Sequence, residues 1–340
     1  MKLWVKVVFV VVIVLVIAIG VCAVKMFGLR TFIGARSRDL TSRTFEGTPA
    51  RLERGKYLAN SMGCLYCHSP HDWAKPDEAV PPGMDGAGQQ LPYTGLPGRV
   101  IAPNLTPDKE TGAGTWSDDM LARAVREGIG HDGRALFPIM PYDHYRSMPD
   151  EDLASIVTYL RSLPAARNPL PQTEIVFPVK YFMRNAPQPI TAPVAQPDLS
   201  DPVKRGSFLV NLVGCADCHT PVDAHHGPIA GMDFSGGQII QGPWGKIATA
   251  NLTPDPTGIP YYDEALFIKA MRTGAVGSRE LSRAMPWLVL RNMTDQDLAA
   301  IFTYLKTLKP IHHRVDNSLP ATLCPLDGAM HGAGNQNLKQ

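Results

Sequence analysis

Apolar residues follow two different patterns along the chain. Residues 7 to 24, VVFVVVIVLVIAIGVCAV, form 18 consecutive positions without a charge. As a helix they span about 27 Å, close to the hydrocarbon thickness of a bilayer. Elsewhere the apolar positions are periodic. In DEDLASIVTYLRSL, starting at Asp150, residues Leu153, Ile156, Val157 and Leu160 keep the i, i+3, i+4, i+7 spacing of one helix face, and Pro164 closes the helix. A second helix is predicted from Ser117, an N-cap ahead of Asp118 and Asp119. A third carries Tyr57, Leu58 and Met62 and runs into GCLYCH at 63–68. Long Gly/Pro loops join them and strand signals are weak, so the pattern predicts a mainly α fold.

The periodic segments occur twice. RGKYLANSMGCLYCH (54–68) matches RGSFLVNLVGCADCH (205–219), APNLTPD (102–108) matches TANLTPD (249–255), and AVREG (124–128) matches AMRTG (270–274). IMPY (139–142) matches AMPW (284–287), and MPDEDLASIVTYLRSLP (148–164) matches MTDQDLAAIFTYLKTLKP (293–310). The offset falls slowly from 151 to 145, as expected when loops of the second copy are shorter. The chain therefore divides into an N-terminal membrane anchor or signal peptide (1–30), a linker (31–50), a first domain (51–164), a Pro-rich interdomain linker (165–201), a second domain (202–312) and a C-terminal tail (313–340). Residues 164–202 hold nine prolines, which exclude a continuous helix. The same stretch carries Val176, Phe177, Tyr181, Phe182 and Met183, so it is expected to pack on both domains and limit their relative motion.

Composition narrows the class. Of 340 residues 44% are hydrophobic and 19% charged, a globular balance. The net charge of +2 is uneven: residues 1–50 carry +5 and the remainder −3. No basic domain is left to suggest nucleic acid. The apolar run exceeds the 7 to 15 residues of a usual signal-peptide core, which favours a retained anchor, although VCA at 21–23 offers a cleavage site. Val21 occupies the place where a lipoprotein site before Cys22 needs a small residue. Lys25, Arg30, Arg36 and Arg38 outnumber Lys2 and Lys6, opposing the simple positive-inside count, but a long folded domain is translocated regardless of that bias.

Four of the six cysteines lie in the two hexapeptides, and Cys22 and Cys324 are poorly placed to pair, so no disulfide scaffold is expected. A shared zinc site would need its two CxxC pairs much closer than the 147 residues between them. A thioredoxin-like pair should accompany a βαβ pattern, which is missing. In C-x-x-C-H, two thiols form thioethers to haem vinyl groups while the histidine ligates iron. Cys64 and Cys67 would attach a first haem c with His68 as its proximal ligand; Cys215, Cys218 and His219 would serve a second. His71, His131, His144, His225, His226, His312 and His313 are not shared between the repeats and read as surface or loop residues.

The sixth iron position should be filled from equivalent places in both copies. Met148 and Met293 meet that condition but open the last helix, where a boundary role is plainer. Met140 and Met285 also meet it, each before a proline in an irregular loop. Met120, Met183 and Met232 have no counterparts and read as core or surface residues.

The order CxxCH, NLTPD, MPY or MPW, then DEDLASIVTYLRSL resembles the class I c-type cytochromes. It is most similar to the multi-haem cytochromes that act as membrane-bound electron-transfer subunits of bacterial periplasmic dehydrogenases. The resemblance covers both repeats, about two thirds of the chain. It implies two tandem class I cytochrome c domains after one N-terminal transmembrane helix, two covalently bound haem c groups, and Met140 and Met285 as distal iron ligands. It also implies that Asn104, Thr106 and Trp116, with Asn251, Thr253 and Tyr262, line the haem crevices; ordinary turn and core roles are the competing reading. This chain has two CxxCH motifs where the dehydrogenase subunits have three. The implied activity is single-electron relay between a periplasmic or membrane donor, such as a dehydrogenase, and an acceptor cytochrome or oxidase, without catalysis of its own. The implied location is the inner membrane, single-pass, with the haem domains in the periplasm. A di-haem peroxidase or a dehydrogenase of small sulfur compounds, with one catalytic haem, is the alternative.

Overall fold

The computed structural model describes residues 3–225 and 227–339; Lys2 and His226 lie outside them. Leu3–Phe27 is one helix with no buried residue, long and apolar enough to cross a membrane. Its foot is tied to the Pro-rich segment. Phe27 stacks on Phe182 at 5.4 Å, and the Asn185 amide donates to the Thr31 hydroxyl at 2.8 Å.

Each repeat is built on a crossing between its first and last helices. In the first these are Pro49–Ser61 and Asp150–Ser162; in the second, Pro202–Val213 and Asp295–Leu305. Both first helices have proline just inside the start and an oxygen N-cap, Thr48 accepting from Arg51 N at 3.2 Å and Asp201 from Lys204 N at 2.8 Å. Glycine permits the crossing: a Cβ on Gly55 would overlap the Ser155 carbonyl and Tyr159, and one on Gly206 would overlap the Ala300 carbonyl and Tyr304. An ion pair closes each crossing, Arg54 to Asp152 at 2.8 Å and Arg205 to Asp297 at 2.6 Å. The expected third helix is present in both copies, Asp118–Glu127 with Ser117 as N-cap and Glu264–Thr273 with Asp263. Leu153, Ile156, Val157 and Leu160 are buried, as their spacing predicts. Met148 and Met293 are buried at the start of the last helices, the boundary role expected of them. The described strands form short two-stranded ladders.

One apolar cluster runs through both repeats, from Leu58 and Val157 to Leu209 and Leu305. Polar ties cross the same boundary. The Tyr57 hydroxyl donates to Asp297, and Asn211 donates to Ser147 at 3.1 Å. The Pro-rich segment braces the first repeat: Thr173 bonds both backbone groups of Ile101, and residues 174–175 pair with 98–99. Near its end it also reaches the second repeat, where Leu199 lies beside Phe208, Leu209 and Leu212.

The segments read from the sequence as a linker and a tail both pack on the repeats. Residues 38–45, within the expected linker, lie along the helix Asp118–Glu127, because that helix buries the carboxylate of Asp119. Arg38 meets both its oxygens at 2.7 Å, and Thr41 N donates to it at 2.7 Å. The tail docks on the second repeat, where Asn317 donates to the Ala248 carbonyl at 2.7 Å. His313, expected at the surface or in a loop, is fully buried. Burial follows because the tail folds back over it.

Candidate haem centres

A left-handed glycine opens each CxxCH turn: Gly63 (φ 78°) before Cys64–Cys67 and Gly214 (φ 70°) before Cys215–His219. It breaks the preceding helix and aims the cysteines inward. None of the four is in a disulfide. Burial pushes Cys64 and Cys215 up to about 12, and Cys67 and Cys218 to about 11. A redox-active thiol pair needs the opposite shift.

The two histidines are held identically. His68 Nδ1 donates to the Pro103 carbonyl at 2.8 Å, and His219 Nδ1 to the Ala250 carbonyl at 2.7 Å. This fixes the tautomer and leaves Nε2 free to ligate a metal. Both rings are buried, which lowers their pKa and keeps them neutral, the form that binds iron. Gly88 N and Gly236 N each donate to the histidine's own carbonyl at 2.7 Å.

The NLTP motif sets the carbonyls that receive these rings. Asn104 Oδ1 accepts from Thr106 N at 2.9 Å and from its hydroxyl at 2.7 Å, while Nδ2 donates to the Ala166 carbonyl at 2.7 Å. Asn251 repeats this with Thr253 and the Ile311 carbonyl, at 2.9, 2.8 and 2.8 Å. These four side chains are therefore committed to pinning the loop to the chain leaving the last helix. Trp116 stacks on His131 at 4.1 Å, and Tyr262 lies against Tyr261 at 4.8 Å.

Met140 and Met285 are half-buried against the apolar cluster, on loops of matching construction. Leu136 N bonds to Gly128 O at 2.8 Å, and Leu281 N to Gly274 O at 2.7 Å. Gly128 (φ 71°) and Gly274 (φ 67°) end the preceding helices, and a Cβ on either would overlap the ring of Tyr142 or Trp287. The aromatic after each Met-Pro thus seats on the glycine and steadies the methionine. Trp287 Nε1 and Trp244 Nε1 are buried donors without a hydrogen-bond partner, which suits a group bringing its own acceptors. Two thiols, a neutral imidazole and a thioether in apolar surroundings fit haem c.

Three features escape sequence reasoning, because nothing local links residues so far apart. His144, four residues after Met140, pairs with Asp217 inside the second CxxCH at 2.7 Å. Arg283, two residues before Met285, pairs with Glu78 at 3.2 Å, and Glu78 accepts from Tyr66 inside the first CxxCH at 2.7 Å. Each methionine loop is thus tied to the other repeat's CxxCH. Tyr93 packs on Trp244 at 5.7 Å across the two repeats, and burial raises its pKa.

Residues 52–164 match the cytochrome c family model. The chain is 30% identical over 76% of its length to a nicotinate dehydrogenase subunit of Pseudomonas putida. It is 29% identical over 79% of its length to the fructose dehydrogenase cytochrome subunit of Gluconobacter japonicus. It is 26% identical over 78% of its length to a diheme cytochrome c-type protein of Cereibacter sphaeroides. It spans 21%, 56% and 89% of these relatives' own lengths, respectively. Matched residues, paired CxxCH turns and these likenesses together make the chain a c-type cytochrome, similar to cytochrome subunits of bacterial dehydrogenases.

Proposed function

We propose that the chain relays single electrons between a dehydrogenase partner and an acceptor cytochrome or oxidase, as a carrier rather than a catalyst. In this reading 51–164 and 202–312 are tandem cytochrome c domains holding two haem c groups. Cys64 and Cys67 attach the first, ligated by His68 and Met140; Cys215 and Cys218 attach the second, ligated by His219 and Met285. Bound there, haem supplies reversible one-electron exchange at iron. The protein's part is to exclude water, fix each imidazole through Nδ1 and fill the sixth position with a thioether, which favours the reduced iron. The helix Leu3–Phe27 anchors the chain in the inner membrane, with both domains in the periplasm.

The observation that carries the relay is the pair of ties from each methionine loop to the other repeat's CxxCH turn, His144 to Asp217 and Arg283 through Glu78 to Tyr66. A carrier gains from adjacent centres. A peroxidase or sulfur-compound dehydrogenase needs one haem without its distal methionine, and both methionine loops here are built alike. The names of the relatives do not support that alternative.

Redox titration of the detergent-solubilised protein should show two low-spin haems at positive potential. Met140→Ala and Met285→Ala should each abolish the methionine-to-iron band of one haem. Peroxide turnover by a half-reduced form containing a high-spin haem would sink the reading.

A further inference from the structure

The tail gathers four ligand-type side chains that the haem centres do not use. His313 follows the last helix of the second repeat, Cys324 comes just after the strand Ala321–Leu323, Asp327 lies in the hairpin turn, and His331 is in the strand Met330–Gly332. One ligand atom from each lies within 4.8 Å of all the others. His313 Nε2 stands 3.3 Å from Cys324 Sγ and 3.6 Å from Asp327 Oδ2, and His331 Nε2 is 3.3 Å from the same oxygen. His313, Cys324 and His331 are at most 2% exposed, and the Asp327 side chain is 1% exposed.

The remaining polar atoms of these residues are already engaged, as in an oriented ligand set. His313 Nδ1 donates to the Ser235 carbonyl at 3.1 Å and His331 Nδ1 to the Gly332 carbonyl at 3.0 Å, turning both Nε2 lone pairs inward. Asp327 Oδ1 accepts from Ala329 N at 2.8 Å, and Asn337 Nδ2 lies 3.6 Å from Cys324 Sγ. Asp327 Oδ2 and His331 Nε2, by contrast, are buried and face each other at 3.3 Å without hydrogen-bond geometry to any group, an arrangement that a shared cation would satisfy. Glycine at 237 leaves the space open, since a Cβ there would overlap Asp327 Oδ2 and His313.

We propose that His313, Cys324, Asp327 and His331 form a closed site for a borderline divalent cation, zinc first. Zinc–ligand bonds of about 2.0 to 2.3 Å in a tetrahedron put neighbouring ligand atoms roughly 3.3 to 3.8 Å apart. The three spacings above fall in that range. A thiolate and a carboxylate together neutralise the ion, and two imidazoles complete four-coordination with no open position, so the site is structural. It clips the tail to the second repeat behind the loop Ser235–Gly237, which also holds the His219 carbonyl through Gly236. The first repeat has Asn168 where the second has His313. Asn168 donates to the Ala87 carbonyl, the equivalent of Ser235, at 2.9 Å, and presents no ligand.

Elemental analysis of the full-length, haem-loaded protein in detergent should find one zinc per chain besides the haem iron. Cys324→Ser and His331→Ala should each lose it while both haem spectra persist. Exchange of the wild type with Co(II) should produce a thiolate-to-cobalt band in the near ultraviolet, a readout that needs no variant to fold. Wild type with neither stoichiometric zinc nor that band overturns the site. So does zinc that stays at one equivalent in folded variants.

Discussion

The two repeats share a crossing, an NLTP lock and an imidazole anchor, yet each is finished by a different piece of chain. In the first, the N-terminal strap covers Asp118–Glu127, and that helix buries Asp119, Arg123, Arg126 and Glu127 along with its apolar residues. The position matching Asp119 in the second is Ala265, which is exposed, and Glu264–Thr273 buries only Phe267, Ala270 and Met271. There the C-terminal tail packs instead, with His313 on the Ser235 carbonyl and Asn317 on Ala248. The centre is preserved as a matched set of backbone bonds, while its covering is free to differ.

The largest asymmetry lies at the closing ion pairs. Asp297 accepts from Arg205 and from Tyr57 of the other repeat, which raises the Tyr57 phenol to about 12 through burial and then this bond. Asp152 accepts from Arg54, whose side chain is 42% exposed and can return to water. Asp297→Ala should lower unfolding free energy by about 3 kcal/mol, approaching the cost of breaking a buried pair. Asp152→Ala should cost about 1 kcal/mol. Equal losses in denaturant titration of the haem-loaded protein would remove the distinction.

The strap comes next. Burial opposes ionisation of Asp119, but Arg38 and Thr41 outweigh it and hold its pKa at about 2, below the ordinary 3.8. A depressed acid stabilises the fold above the unfolded value and loses that contribution as pH falls from 3.8 toward 2. Arg38→Ala should cost about 2 kcal/mol at neutral pH by stranding the carboxylate. The gap from wild type should narrow below that window, as thermal midpoints across pH would show. An unchanged gap in acid would mean the strap works by packing alone.

The smallest effect is expected at the pseudo-symmetric contact where His144 meets Gly214 and Val289 meets Gly63. The hydrogen bond to Asp217 raises the His144 pKa above 6.5. Its contribution is complete below that value and fades as pH rises through the raised one. His144→Val, copying position 289, should cost under about 1 kcal/mol at pH 6 and progressively less above it. Stability curves that stay parallel across that range would deny the pair any role.

Much of the core and of the candidate haem ligand set is legible in the chain itself, because the chain states it twice. Leu153 to Leu160 and the Ser117 cap follow from local spacing, and the CxxCH residues carry their chemistry within five positions. Asn104 and Thr106 stand out by their recurrence, but their work as loop pins shows only when Ala166 comes into reach. His313 reads as a surface or loop residue because a histidine in a polar tail gives no sign of burial until the hairpin that covers it is formed.

Sequence alone determined the repeat, the helix faces and the candidate residues for holding haem. These depend on contacts along one helix or turn, where position in the chain is position in space. Tertiary structure decided which carboxylate meets which arginine, that each methionine loop meets the other repeat's CxxCH turn, and that His313, Cys324, Asp327 and His331 share one buried point. Those pairings follow from chain closure and packing, which bring together residues whose spacing in the sequence carries no signal.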